Sequence, residues 1–197
     1  MRTIALTGNI AAGKSTVAQL LRGWGAVLFD ADEEVRRLQR PGQPVFEAIL
    51  EQFGPSVRRA DGGLDRAALR ERILGNPSER ATLEALVHPA VEASRQAAIA
   101  AARARGAEVF LADIPLLFEA ADPSAYDGVI LVDAPVAERR RRLIEERRLP
   151  PDDADRLIAA QMPASTKRPL ATWIIDNDAD RATLVARTRA VWEAITA

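Results

Sequence analysis

The sequence predicts an α/β fold built on a five-stranded parallel sheet, and three observations predict it. Five short, almost wholly apolar runs alternate with longer amphipathic stretches along the 197 residues, as strands covered on both faces and their crossover helices require. Three of these runs end in aspartate (Asp30, Asp113 and Asp133), and another is followed by Asp176; ligands bind a parallel sheet at that carboxyl edge. The first run leads directly into Gly8–Thr16, GNIAAGKST, which fits G-x-x-x-x-G-K-[ST], a loop that wraps nucleotide phosphates between a strand and a helix.

The elements follow in order. Thr3–Leu6 is the first strand, Lys14–Trp24 the helix after the glycine loop, and Val27–Phe29 the second strand. A large helical insertion comes next. Pro44–Phe53 sets Val45, Ile49, Leu50 and Phe53 on one face, and Leu64–Leu74 and Ser78–Arg105 continue it. Pro89 is expected to break or kink the last of these, because proline removes an amide and disfavours helix in the residue before it. Val109–Ala112 and Val129–Val132 are the third and fourth strands. Pro135 suits the first turn of a helix running to Arg147. Trp173–Ile175 is the fifth strand, and Asp180–Ile195 closes the chain with Leu184, Thr188, Val191, Trp192 and Ile195 on one face.

Composition narrows the chemistry. With 48% hydrophobic residues the chain can bury one substantial core. The net charge of −1 supplies neither a basic bias for nucleic acid nor an acidic bias for disorder. Cysteine is absent, which removes disulfides, thiolate zinc sites and a thiol nucleophile; His88 is the only histidine, which removes multi-histidine metal sites. The opening MRTIALTG holds too few apolar residues for a signal-peptide core, and no later run approaches about 18 apolar residues. A soluble, cytoplasmic protein without a membrane partner is expected.

In the glycine loop, Gly8 and Gly13 let the backbone approach a phosphate, and the amides of Asn9, Ile10, Ala11 and Ala12 with the following helix N-terminus aim partial positive charge at it. Lys14 is expected to reach the β- and γ-phosphates, Ser15 to ligate Mg²⁺ and Thr16 to hold an α-phosphate. Asp32, just past the second strand, is a candidate to accept the acceptor hydroxyl's proton, or else belongs to a simple helix cap. Asp113 stands where a Walker B carboxylate holds the Mg²⁺ shell. Leu116, Leu117, Phe118 and Glu119 form an apolar loop with one acid, either lining an organic substrate or packing on the protein. The run Arg139–Arg142 points in four directions about 100° apart on a helix, so one or two of the four can face a nucleotide and the rest are expected in solvent. The run lacks the interleaved aromatics of a nucleic-acid binder.

Taken together, TGNIAAGKST, DAD (Asp30–Asp32), HP (His88–Pro89), DIPLLFE (Asp113–Glu119), AAQMP (Ala159–Pro163), Lys167 and IIDN (Ile174–Asn177) resemble the dephospho-coenzyme A kinase family in order and spacing. The resemblance implies a three-layer P-loop kinase core at 1–34, 106–138 and 170–197, a helical substrate-binding insertion at 35–105 and a small helical lid at 139–169. It implies transfer of the ATP γ-phosphate, with Mg²⁺, to the ribose 3′-hydroxyl of dephospho-CoA. Asp32 is then the catalytic carboxylate, His88 and Leu116–Glu119 lie along the acceptor, Asn177 lies near the adenine, and Arg142 is the lid arginine. The family loop commonly reads GGIGSGKS, so Asn9, Ala11 and Ala12 replace glycine, glycine and serine. Where members carry an arginine-aspartate pair after the arginine helix, this chain has Glu146 followed by Arg147, and Arg147 is the substitute clamp. A different small-molecule kinase on this fold, or a P-loop module that binds nucleotide without transfer, is the alternative.

Overall fold

β1 (Arg2–Gly8) is wholly buried from Ile4 to Gly8 and passes into the loop, after which α1 (Lys14–Gly23) packs back on it and β2 (Val27–Asp30) follows. The helices α2 (Ala31–Leu38), α3 (Pro44–Phe53), α4 (Arg66–Ile73) and α5 (Pro77–Ala104) come next. β3 (Val109–Asp113), α6 (Leu117–Ala120), β4 (Gly128–Asp133), α7 (Val136–Glu145), α8 (Pro151–Ala159), α9 (Ala164–Lys167), β5 (Trp173–Asp176) and α10 (Arg181–Thr196) complete the chain. This computed structural model describes residues 1–197, the side chain of Ala120 excepted. No helix among the described residues is long and apolar enough to cross a membrane.

The sheet has the order β2-β3-β1-β4-β5, and β1 pairs parallel with both β3 and β4, β4 with β5. The α/β class and the five-stranded parallel sheet are therefore as the apolar runs indicate. Register decides what meets at the carboxyl edge: Leu6 stands opposite Asp113, Gly8 opposite Val132, and Asp133 opposite Asp176. On one face Ile4, Leu6, Leu111, Ile130, Val132 and Ile175 pack with Val17, Leu21, Leu184, Trp192 and Ile195. On the other, Ala5 and Val129 pack with Leu117. Burial on both faces is why these strands lack polar alternation.

The chain divides into two compact units, Met1–Phe29 with Ala101–Ala197, and Asp30–Ala100. The second has its own core of Leu38, Phe46, Ile49, Phe53, Leu69 and Val87. It includes α2, whose Leu38 buries with that core. Residues 139–169 group with the sheet unit.

Two local expectations change. α5 runs through Pro89 without a break; Pro89 and Ala85, whose carbonyl loses its donor, are both exposed, so water can satisfy that carbonyl. Leu64 forms an antiparallel bridge with Arg58 instead of opening a helix, and α4 starts at Arg66 behind the N-cap Asp65, whose carboxylate accepts from the Ala67 and Ala68 amides.

Candidate active site

The site is built on the loop after β1. A Cβ on Gly8 would lie 2.5 Å from the Val132 carbonyl oxygen, so only glycine lets β4 approach there. Gly13 has φ +98°, and a Cβ on it would lie 2.2 Å from Asn177 Nδ2. Ala11 also adopts the left-handed region, at φ +58°. Gly13 is the N-cap of α1, no side chain caps that helix, and its first turn holds no acid. Its free amides and positive end are left for an anion. Lys14 forms an ion pair with Asp113, whose side chain is only 7% exposed at the end of β3. Ser15 is exposed in the first turn. Its hydroxyl and the Asp113 carboxylate are the oxygen donors that a hard divalent cation takes, so this donor set fits Mg²⁺.

Two sets of contacts grip the loop. Arg142 donates from Nη1 to the Ala11 carbonyl at 3.1 Å and from Nη2 to the Asn177 carbonyl at 3.4 Å, while Asn177 Nδ2 donates to the Ala12 carbonyl at 2.8 Å. Glu138 accepts from Arg142 Nε at 2.9 Å. The second grip comes from the turn after α8. Gln161 Oε1 accepts from the Ile10 amide at 2.7 Å, and the Met162 carbonyl accepts from Asn9 Nδ2 at 3.1 Å. The Met162 amide in turn donates to Glu119 Oε1 at 3.3 Å.

The arginine run is used unevenly. Arg140 pairs with Asp155, and Arg141 with Glu138, Glu145 and Glu146. Arg139 is buried at 3% exposure, contrary to the expectation that the residues beside Arg142 are solvated. Its Nε donates to the Ala134 carbonyl at 3.2 Å, and its Nη1 has no hydrogen-bond partner among the described residues. The reason is the short α7 entry: Pro135 precedes the helix, and Arg139 folds back to the carbonyl at the end of β4. Burial pulls its guanidinium below the ordinary range, with the Asp133 charge opposing. A cleft of about 550 Å³ adjoins it, lined by Asn9, Asp133, Gln161, Ser165 and Arg168 among others. Arg168 bridges Asp133 and Asp176 at 2.8 and 2.7 Å, and these two acids hold its proton more tightly than usual, Asp176 first.

The family model described as dephospho-CoA kinase (CoaE) matches residues 2–183. The chain belongs to the dephospho-CoA kinase family. A dephospho-CoA kinase of Symbiobacterium thermophilum is 43% identical over 98% of this chain and 81% of its own length. One of Corynebacterium diphtheriae is 39% identical over 98% and 96%. Among solved structures, TT1252 from Thermus thermophilus superposes with a TM-score of 0.85 at 34% identity, covering 100% of this chain and 98% of that one. The Campylobacter jejuni dephospho-CoA kinase shares the fold, with a TM-score of 0.73 at 22% identity over 98% and 96%.

Within this dephospho-CoA kinase family chain, the residues singled out from sequence fall into four groups. Gly8–Thr16, Asp113, Arg142 and Asn177 converge on the phosphate loop, and the Asn177 carboxamide is engaged there by the Ala12 carbonyl. Leu116 to Glu119 divide. Leu116 is 44% exposed, whereas Leu117 is fully buried against Ala5 and Val129, with Phe118 packed on the same cluster. Leu117 therefore anchors the loop and offers no surface to a substrate. The Glu119 carboxylate is engaged by Lys167 at 2.7 Å and by the Met162 amide. Arg147 is exposed in the turn after α7. Asp32 and His88 belong to the helical unit, both exposed. Asp30 takes the N-cap role by accepting from the Glu33 amide at 2.8 Å, so the cap is not a use for Asp32.

Sequence reasoning missed Asn9, Gln161 and Met162 as a clasp.

Proposed function

We propose that this chain is an ATP-dependent kinase that phosphorylates the ribose 3′-hydroxyl of dephospho-CoA, giving CoA and ADP, the final step of coenzyme A biosynthesis. The observation that carries the reading is the uncapped, glycine-shaped loop ending in Lys14 and Ser15 with Asp113 beside it, in a chain that matches the family from residue 2 to 183.

The amides at the start of α1 and Lys14 bind and orient the nucleotide phosphates, while the Ile10 and Ala12 amides are taken by Gln161 Oε1 and the Asn9 carbonyl; the ammonium exchanges its contact with Asp113 for phosphate oxygens. Ser15 and Asp113 would hold Mg²⁺, which supplies neutralisation of phosphate charge when bound. Arg142, fixed by Glu138 and the Ala11 and Asn177 carbonyls, adds a preorganised cation for charge on the transferring group. Asp32 is assigned the role the resemblance gives it: it orients the acceptor hydroxyl and receives its proton. Its carboxylate is not spent on capping α2, which supports that role.

Incubation with ATP·Mg²⁺ and a panel of acceptors (dephospho-CoA, nucleoside monophosphates, shikimate, gluconate) tests the reading by the ADP and phosphorylated product formed. Dephospho-CoA should be the acceptor consumed. Product from another acceptor alone, or ATP binding with no transfer, rejects it. Asp32→Ala should lower kcat by about a hundredfold or more while ATP affinity stays near that of the unaltered protein.

A further inference from the structure

Lys167 is fully buried, with 0% of its side chain exposed, at the end of the four-residue helix α9. Lysine is almost never buried to this extent unless paired, because desolvating an ammonium is costly. An apolar residue of similar volume would fill the same space at less cost. The single ion-pair contact is with Glu119 Oε1 at 2.7 Å, and the ammonium meets no hydrogen-bond acceptor of suitable angle among the described residues.

The position of Glu119 explains the expense. Its Oε1 also accepts from the Met162 amide. Met162 and its neighbour Gln161 hold the Asn9 side chain and the Ile10 amide of the phosphate loop. A carboxylate without a counter-ion at this place would turn to water, since its side chain is already 21% exposed. The Met162 tether would go with it.

We infer that Lys167 is a positioning residue for phosphoryl transfer: by neutralising Glu119 it holds the Gln161–Met162 turn on Asn9 and Ile10, and so fixes the front of the phosphate loop. It acts through Glu119, and the inference rests on the kinase reading above. A purely structural ion pair would change stability and leave the loop alone. A positioning pair controls the loop even when the fold is sound.

Two variants separate these cases. Lys167→Met strands Glu119, while Lys167→Met with Glu119→Ala removes both charges, so no buried ion opposes folding, yet still deletes the tether. Three quantities are measured on each folded protein: amide exchange at Ile10, ATP affinity without acceptor, and kcat with dephospho-CoA. In both variants Ile10 should exchange faster by about tenfold or more, ATP should bind more weakly, and kcat should fall by about tenfold to a hundredfold. Unaltered Ile10 exchange and ATP affinity in the double variant, with only the melting temperature moved, overturns the inference. Exchange and ATP affinity need no acceptor. Unaltered protein that ignores dephospho-CoA therefore defeats the kinase reading alone, and those two readouts still decide the role of Lys167.

Discussion

The phosphate loop Gly8–Thr16 and the segment Arg139–Lys167 meet at the same site but are specified in opposite ways. The loop carries its shape in its own residues: positive φ at Gly13 and Ala11, and an uncapped helix start. The Arg139–Lys167 segment works through partners far away in the chain. Arg142 reaches Ala11 across 131 residues, Gln161 reaches Ile10 across 151, and Met162 reaches Asn9 across 153. The turn at Ala11 and Gly13 is set by local backbone sterics, whereas Asn9 and Ile10 at the front of the loop are held by the clasp. A clasp of side-chain hydrogen bonds exists only when the tertiary fold brings both halves together.

The sharpest way to break this contrast is at Gly13. Gly13→Ala places a methyl 2.2 Å from Asn177 Nδ2 at φ +98°. Strain of about 1–3 kcal/mol should follow, and ATP binding should weaken by about 10- to 100-fold; calorimetric titration and denaturant unfolding measure the two. Arg142→Ala comes next. It should lower kcat by about a hundredfold while stability falls by only about 1 kcal/mol. If it destabilises the protein as much as Gly13→Ala, the loop is not locally determined and the contrast fails.

Acidity sharpens the picture on the segment's side. The hydrogen bond from Arg141, then the charges of Arg142 and Arg141, depress the Glu138 carboxyl from 4.5 to about 2. A depressed carboxyl contributes fully above its unfolded value, and the contribution is lost as pH falls through the folded value. The Arg142 anchor should therefore persist at pH 5. Stability should fall between pH 4.5 and 2 more steeply than in Glu138→Gln, as followed by thermal melts across that range. Equal slopes would show that Glu138 is not ion-paired with Arg141 and Arg142 in solution. The smallest effect is expected at Ala11. Glycine there relieves a left-handed alanine costing about 1–2 kcal/mol and loosens the unfolded chain by about 0.5–1 kcal/mol. Ala11→Gly should be neutral to slightly stabilising in denaturant unfolding, and a clear loss would mean that the alanine methyl makes a packing contribution.

Legibility followed the same division. The five strands were readable because both faces of the sheet are covered, which writes each strand as an apolar run. The long helices α3 and α10 were readable from one-sided spacing. The short α8 and α9 were not, because a helix of four to nine residues held by tertiary contacts carries little periodic signal. Among site residues, Lys14, Ser15 and Asp113 follow from motif and strand end. Leu117 misled because a leucine in a ligand-edge loop reads the same whether it lines a pocket or anchors the loop. Arg139 misled because four adjacent arginines look alike until the end of β4 supplies a carbonyl to one of them.

The sequence by itself determined the α/β class, the phosphate loop at the end of β1 and the family, because strand patterning and a contiguous loop are local properties. Only the tertiary structure decided how Arg142 grips the loop, that Arg139 is buried beside it, that Asn9 belongs to a clasp, that Leu117 is core, and that Lys167 balances Glu119. Those outcomes depend on which polar group is left without water once distant segments pack, and no local pattern encodes that.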